Sequence, residues 1–155
     1  MTVAEKLVAL LKAQGLTCAT AESCTGGGVG SAITAVPGSS SVFAGGVISY
    51  ANEVKRDVLG VSDHNLQTMG AVSSEVAAQM AVGARKLLKT DLAVSLTGIA
   101  GPDGGSEAKP VGLVWFGLAT KDGVRTEKAI FRGDRAKVRE QAVIHALGML
   151  TIGAT

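Results

Sequence analysis

A chain of 155 residues, 46% hydrophobic and 18% charged, can bury the core of one domain and falls short of two. Its formal charge of +2, from 15 basic and 13 acidic residues, is too weak to imply a nucleic-acid partner, and the chain has no basic block. A mean hydropathy of +0.33 excludes a disordered chain.

Aromatic residues make up 3% of the chain and glycines number 21, so packing is expected from aliphatic side chains and close backbone approaches. The two cysteines, Cys18 and Cys24, suit a reduced chain better than a disulfide framework. Met1-Thr2-Val3-Ala4-Glu5-Lys6 has no signal-peptide layout, and no apolar run reaches membrane-span length. A cytoplasmic protein with no membrane partner is expected.

Taken in order, residues 2–14 form an amphipathic helix with Val3, Leu7, Leu10 and Leu11 on one stripe. Thr2 and Glu5 have capping-box spacing, and Gly15 is the stop. Residues 16–22 read as a strand, 26–36 as a helix entered through glycines, and 44–51 as a second strand. Asn52 is expected to cap a helix over 53–59, and 63–69 forms another short one. Ser73 or Ser74 caps the longest helix, to about Lys89. Residues 91–97 have the look of a central strand. After a long loop, 111–120 and 124–131 flank a hairpin turn with an Asp122-Gly123 step, and Asp134 caps a last helix to about Leu150. This alternation predicts one α/β domain over residues 1–155. It is a three-layer α/β/α sandwich whose mostly parallel sheet gains an antiparallel member from the hairpin.

Chemistry concentrates at three glycine-bearing turns. In Thr20-Ala-Glu-Ser-Cys-Thr-Gly-Gly-Gly28, backbone N–H groups at a helix start favour an anion or an oxyanion. The spacing fits neither a dinucleotide fingerprint nor a nucleoside-triphosphate P-loop. Ser23 sits where ligands of α/β folds bind, yet a free hydroxyl is a weak nucleophile and needs a base. His64 lies in a surface helix. His145 shares a face with Val138, Ala142 and Met149. Neither makes a Ser-His-Asp triad, so a lysine brought toward neutrality by burial is the alternative base. Cys24 is the rival nucleophile.

In Ser49-Tyr-Ala-Asn-Glu-Val-Lys55, Tyr50 and Lys55 can face the same end of the sheet. The long loop Thr97–Gly105 follows another strand. Arg135 and Arg139 share a helical face and suit phosphate, although a solvated charged surface with Glu140 accounts for them equally well. No histidine or cysteine spacing suits a metal.

Ala21-Glu-Ser-Cys-Thr-Gly-Gly27, Gly46-Val-Ile-Ser-Tyr-Ala-Asn-Glu-Val-Lys55, Gly70-Ala-Val-Ser73, Thr97-Gly-Ile-Ala-Gly-Pro-Asp-Gly-Gly105 and Lys109-Pro-Val-Gly112 together resemble the CinA C-terminal domain family in its stand-alone amidohydrolase form. The likeness runs from about residue 3 to about 150. It implies deamidation of nicotinamide mononucleotide, a homodimer, a site without metal or cofactor, and a mixed five-stranded sheet between helical layers. It also implies Ser23, Tyr50 and Lys55 as the catalytic set.

On that basis Thr25, Gly26 and Gly27 are the expected oxyanion donors. Thr97, Gly98, Ala100 and Gly101 are expected to hold the ribose and phosphate, with Arg135 or Arg139 reaching the phosphate. The competing expectations are a nucleotide-binding module without turnover, and an amidase for another small carboxamide.

Overall fold

The computed structural model covers Met1–Thr155 and contains five strands and six helices. In chain order these are α1 (Val3–Gln14), β1 (Cys18–Glu22), α2 (Gly28–Thr34), β2 (Phe43–Ile48), α3 (Asn52–Leu59), α4 (Asp63–Thr68), α5 (Ser74–Leu88), β3 (Leu92–Gly98), β4 (Leu113–Thr120), β5 (Gly123–Ile130) and α6 (Arg135–Gly153). The sheet order is β2-β1-β3-β4-β5. β1 pairs in parallel with both β2 and β3, β4 is antiparallel to β3 and β5 is antiparallel to β4. β4 alone therefore runs against the other strands.

The local signals explain most boundaries. Thr2 Oγ1 accepts from the Glu5 N–H at 3.1 Å, and Gly15 ends α1 in the left-handed region. Ser73 caps α5 through the Val76 N–H. Ser74 is helical, and its hydroxyl lies 2.8 Å from Thr126 Oγ1 on β5.

Two boundaries differ from expectation in ways that matter later. β2 ends at Ile48: the Ser49 N–H still bonds to the Glu22 carbonyl, but Tyr50 and Ala51 leave the sheet. Ala51, not Asn52, is the N-cap of α3 and supplies no side-chain cap. Asn52 is thus the first helical residue, and its amide is free to face a cavity. α6 also continues three residues beyond Leu150, to Gly153, because nothing after Leu150 interrupts it.

Strand alternation divides the core into two unequal halves. Cys18, Leu92, Val94, Leu96, Val114, Phe116 and Leu118 face α1, α2 and α6, where they join Leu7, Leu11, Ile33 and Leu150. Ala19, Ala21 and Ala93 face α5, Leu59 and Val61. The second face is built from small side chains, so α5 rides close to the sheet. A Cβ on Gly117 would come within 2.5 Å of the Ala77 carbonyl oxygen. Ser95 Oγ donates to that same oxygen at 2.6 Å.

β3 is buried on both faces, as a central strand must be. The chain leaves β1 toward one layer of helices and β2 toward the other. The C-terminal ends of β1, β2 and β3 therefore open onto a crevice at a switch in topology, where α/β folds place their ligands.

Candidate active site

Ser23 follows the last residue of β1, and its N–H is tied to the Leu96 carbonyl of β3 at 3.1 Å. Lys55 projects from α3 with Nζ 3.1 Å from Ser23 Oγ. The lysine is only 1% exposed, the largest fully buried side chain in the protein. Burial pushes its pKa below the ordinary lysine range, because the ammonium has lost its water.

A neutral amine has two N–H groups and one lone pair. The Ser49 and Tyr50 carbonyl oxygens, 2.7 and 3.0 Å from Nζ, accept the two N–H groups. In that neutral form the lone pair would face the Ser23 hydroxyl. Cys24, the neighbouring candidate, is a poor thiolate: burial pushes its thiol up to about 11.

The pair lines a cavity of about 280 Å³. Cys24, Asn52, Ala71, Thr97, Ile99 and Arg135 are among its other walls. Gly98, Ala100, Gly101, Asp103 and Gly104 bring the loop after β3 to the same cavity. Thr97 Oγ1 donates to the Ala71 carbonyl at 2.9 Å, so its hydroxyl serves to fasten the α4–α5 connection.

Tyr50 enters in an unexpected way. Its backbone carbonyl orients Lys55, while its ring is 62% exposed at the cavity mouth and its hydroxyl lies 3.5 Å from an Arg135 nitrogen. Arg135 also donates to the Gly101 carbonyl at 2.9 Å, and so spans the mouth from the tyrosine to the loop.

Thr25, Gly26 and Gly27 stand behind the cavity rather than in its wall. They form the turn into α2. Thr25 Oγ1 donates to Glu22 at 2.7 Å, and the Gly26 N–H donates to the Ser23 carbonyl at 3.1 Å. Gly26 and Gly27 adopt φ of 59° and 103°, a left-handed pair that side chains resist. Arg139, expected with Arg135 at the phosphate, is elsewhere: its Nε donates to the Cys24 carbonyl at 3.0 Å and an Nη to the Thr25 carbonyl at 3.2 Å.

Matches to known proteins show the family. The family model described as the CinA C-terminal domain matches residues 1–152. The chain belongs to the CinA C-terminal domain family. Among its relatives, the nicotinamide-nucleotide amidohydrolase PncC of Escherichia coli K12 is 50% identical over 151 residues, spanning 97% of this chain and 92% of that protein. A putative competence-damage inducible protein of Halothermothrix orenii is 56% identical over 131 residues, 84% of this chain but 32% of that longer protein. The crystal structure of CihA, a competence/damage inducible protein from Agrobacterium tumefaciens, superposes with a TM-score of 0.94 at 42% identity, over 98% of this chain and 93% of that one.

Two residues of this CinA-family site escape a reading of the sequence alone. Asn52 looks like a cap and is instead a wall of the cavity. Glu22 is 2% exposed, and its carboxylate accepts the Thr25 hydroxyl at 2.7 Å, the Val29 N–H at 2.9 Å and the Gly30 N–H at 3.0 Å. A signal for Glu22 was available. α2 starts behind Gly27, which has no capping side chain, so its first N–H groups need an acceptor from elsewhere. No three His, Cys, Asp or Glu side chains of this CinA domain gather closely enough to hold a metal ion.

Proposed function

We propose that this chain hydrolyses the carboxamide of nicotinamide mononucleotide to nicotinic acid mononucleotide and ammonia, with Ser23 as nucleophile and Lys55 as base. The carrying observation is the buried Lys55 Nζ at 3.1 Å from Ser23 Oγ in the wall of the cavity. Further support comes from the 50% identity with the E. coli enzyme named for nicotinamide nucleotide.

In this mechanism neutral Lys55 takes the Ser23 proton as Oγ bonds to the carboxamide carbon. The pyridinium ring draws electrons from that carbon and favours attack. When the tetrahedral adduct collapses, the C–N bond breaks and the Lys55 proton leaves with the amine as ammonia. Water then attacks the ester, giving its proton to Lys55, and Ser23 recovers a proton as the acid departs. Tyr50 contributes through the carbonyl that fixes Lys55 and through a hydroxyl beside Arg135. Arg135 is placed to meet the phosphate at the mouth, with Gly98, Ala100 and Gly101 shaping the ribose side. The route uses no metal or cofactor. The family resemblance implies a cytoplasmic homodimer; sedimentation of the purified protein tests the dimer.

The deciding experiment incubates purified protein with nicotinamide mononucleotide and measures ammonia. Ser23→Ala is run in parallel, and nicotinamide and its riboside serve as alternative substrates. Ammonia from the nucleotide, lost in Ser23→Ala, is expected. Tight binding without ammonia would make the chain a binding module. Equal turnover of free nicotinamide would make it a general amidase.

A further inference from the structure

Arg139 lies in the second turn of α6, far in sequence from the nucleophile, yet it makes two of the bonds that shape the Ser23 turn. Its guanidinium does not line the cavity. It binds the Cys24 carbonyl through Nε and the Thr25 carbonyl through an Nη. Glu22 takes hold of the same turn from the opposite, buried side through the Thr25 hydroxyl and the first N–H groups of α2. Within the turn, the Ser23 carbonyl is engaged by the Gly26 N–H and the Thr25 carbonyl by the Gly28 N–H. The N–H groups of Cys24, Thr25 and Gly27 donate to no other residue, and of these three residues only Cys24 lines the cavity.

In a trans peptide the N–H points opposite to the C=O. Anchoring the Cys24 carbonyl on Arg139 therefore turns the Thr25 N–H away from the arginine and holds fast the peptide that adjoins the Cys24 N–H. The N–H of the residue after a serine nucleophile is the usual oxyanion donor, and it works only if it is fixed before charge develops.

We propose that Arg139 is a positioning residue for acyl transfer: with Glu22 it holds the turn that follows Ser23, so that the Cys24 N–H, in the cavity wall, receives the oxyanion. This rests on the Ser23–Lys55 reading. It replaces Thr25, Gly26 and Gly27 as donors, and it withdraws Arg139 from phosphate binding. The planar, forked guanidinium is required because two carbonyls must be met at once.

The test compares wild type, Arg139→Ala and Arg139→Lys, with the nucleotide and the riboside as substrates. An aldehyde analogue of the nucleotide provides a second readout, because Ser23 adds to it to form a hemiacetal whose oxygen occupies the same position as the oxyanion. Displacing a catalytic group by about 1 Å can cost about 10²-fold in rate, so kcat of Arg139→Ala is expected to fall about that much on both substrates. KM and product affinity should stay within about three-fold. Affinity for the aldehyde should fall in parallel with kcat, and added guanidinium should restore part of the rate. Arg139→Lys should fall between the two. If Arg139→Ala does not fold, Arg139→Lys, which keeps the aliphatic stem, is judged by the same criteria.

A rise in KM confined to the nucleotide would return Arg139 to the phosphate and overturn the proposal. Unchanged kcat in a folded variant would overturn it as well. Wild type lacking Ser23-dependent ammonia release would instead defeat the functional reading beneath it.

Discussion

Two glycine-rich turns meet at the cavity, and they are held in opposite ways. The turn after β1 is gripped from inside by Glu22 and from outside by Arg139, and it carries Ser23, the proposed nucleophile. The loop after β3 is long and mostly exposed between Pro102 and Lys109. It is fastened near its ends by Arg135 on the Gly101 carbonyl and by Lys109 Nζ on the Met69 carbonyl. Bond making demands placement to within a fraction of an ångström, whereas recognising a sugar and a phosphate tolerates adjustment. The first turn has the supports of a catalytic element and the second those of a binding one.

That contrast can be broken at its strongest point first. Lys55→Ala should lower kcat by roughly 10⁴-fold, at the upper end of what a general base contributes, with Ser23→Ala at least as severe, both measured by ammonia release. In wild type, kcat/KM should rise with pH through the lowered pKa of Lys55, because only the neutral amine can accept the serine proton. The same group couples pH to stability. The unfolded chain keeps the lysine proton to a higher pH than the folded protein, so between the two pKa values unfolding takes up a proton and stability rises with pH. Denaturant titrations of wild type and Lys55→Met across that window should show the slope in wild type only.

Glu22→Ala comes next. It strands the Val29 and Gly30 N–H groups and should cost about 1–3 kcal/mol of stability, seen in denaturant unfolding, together with a fall in kcat. In the second loop, Arg135→Ala should raise KM for the nucleotide roughly tenfold, the equivalent of one lost charge-assisted contact of about 1.5 kcal/mol. It should leave kcat and the riboside little changed. Smallest of all, Lys109→Ala removes one exposed tether and should change KM by no more than about two-fold, within the ±0.5 kcal/mol of ordinary surface substitutions. A large kcat effect from either loop variant would erase the distinction between the turns.

Much of this site is readable from the chain because its parts are local. Ser23 ends a strand, and Lys55 follows Tyr50 by little more than one helical turn. The strand and helix periods place both at one end of the sheet. The hairpin and the helix starts capped by Thr2, Ser73 and Asp134 were likewise set by local patterns, whereas the strand order rests on long-range pairing such as that of β1 with β3. What escaped depends on long-range packing. Arg139 bonds to Cys24 from 115 positions away, and no periodicity distinguishes it from Arg135 four residues earlier. The use of the Tyr50 carbonyl, with its hydroxyl turned to the mouth, depends on the chain leaving β2 at Ile48, a boundary that propensity blurs.

Helix α3 has one more consequence. It is eight residues long, and its only buried side chains are Lys55 and Leu59, one turn apart. A helix of that length has no independent standing in water, so Lys55, the proposed base, is also half of the anchor that keeps its own scaffold folded. Turnover and the integrity of this short segment are therefore one cooperative event. On warming, catalysis should fail reversibly when α3 lifts away, while the five-stranded sheet and its larger aliphatic core persist to higher temperature.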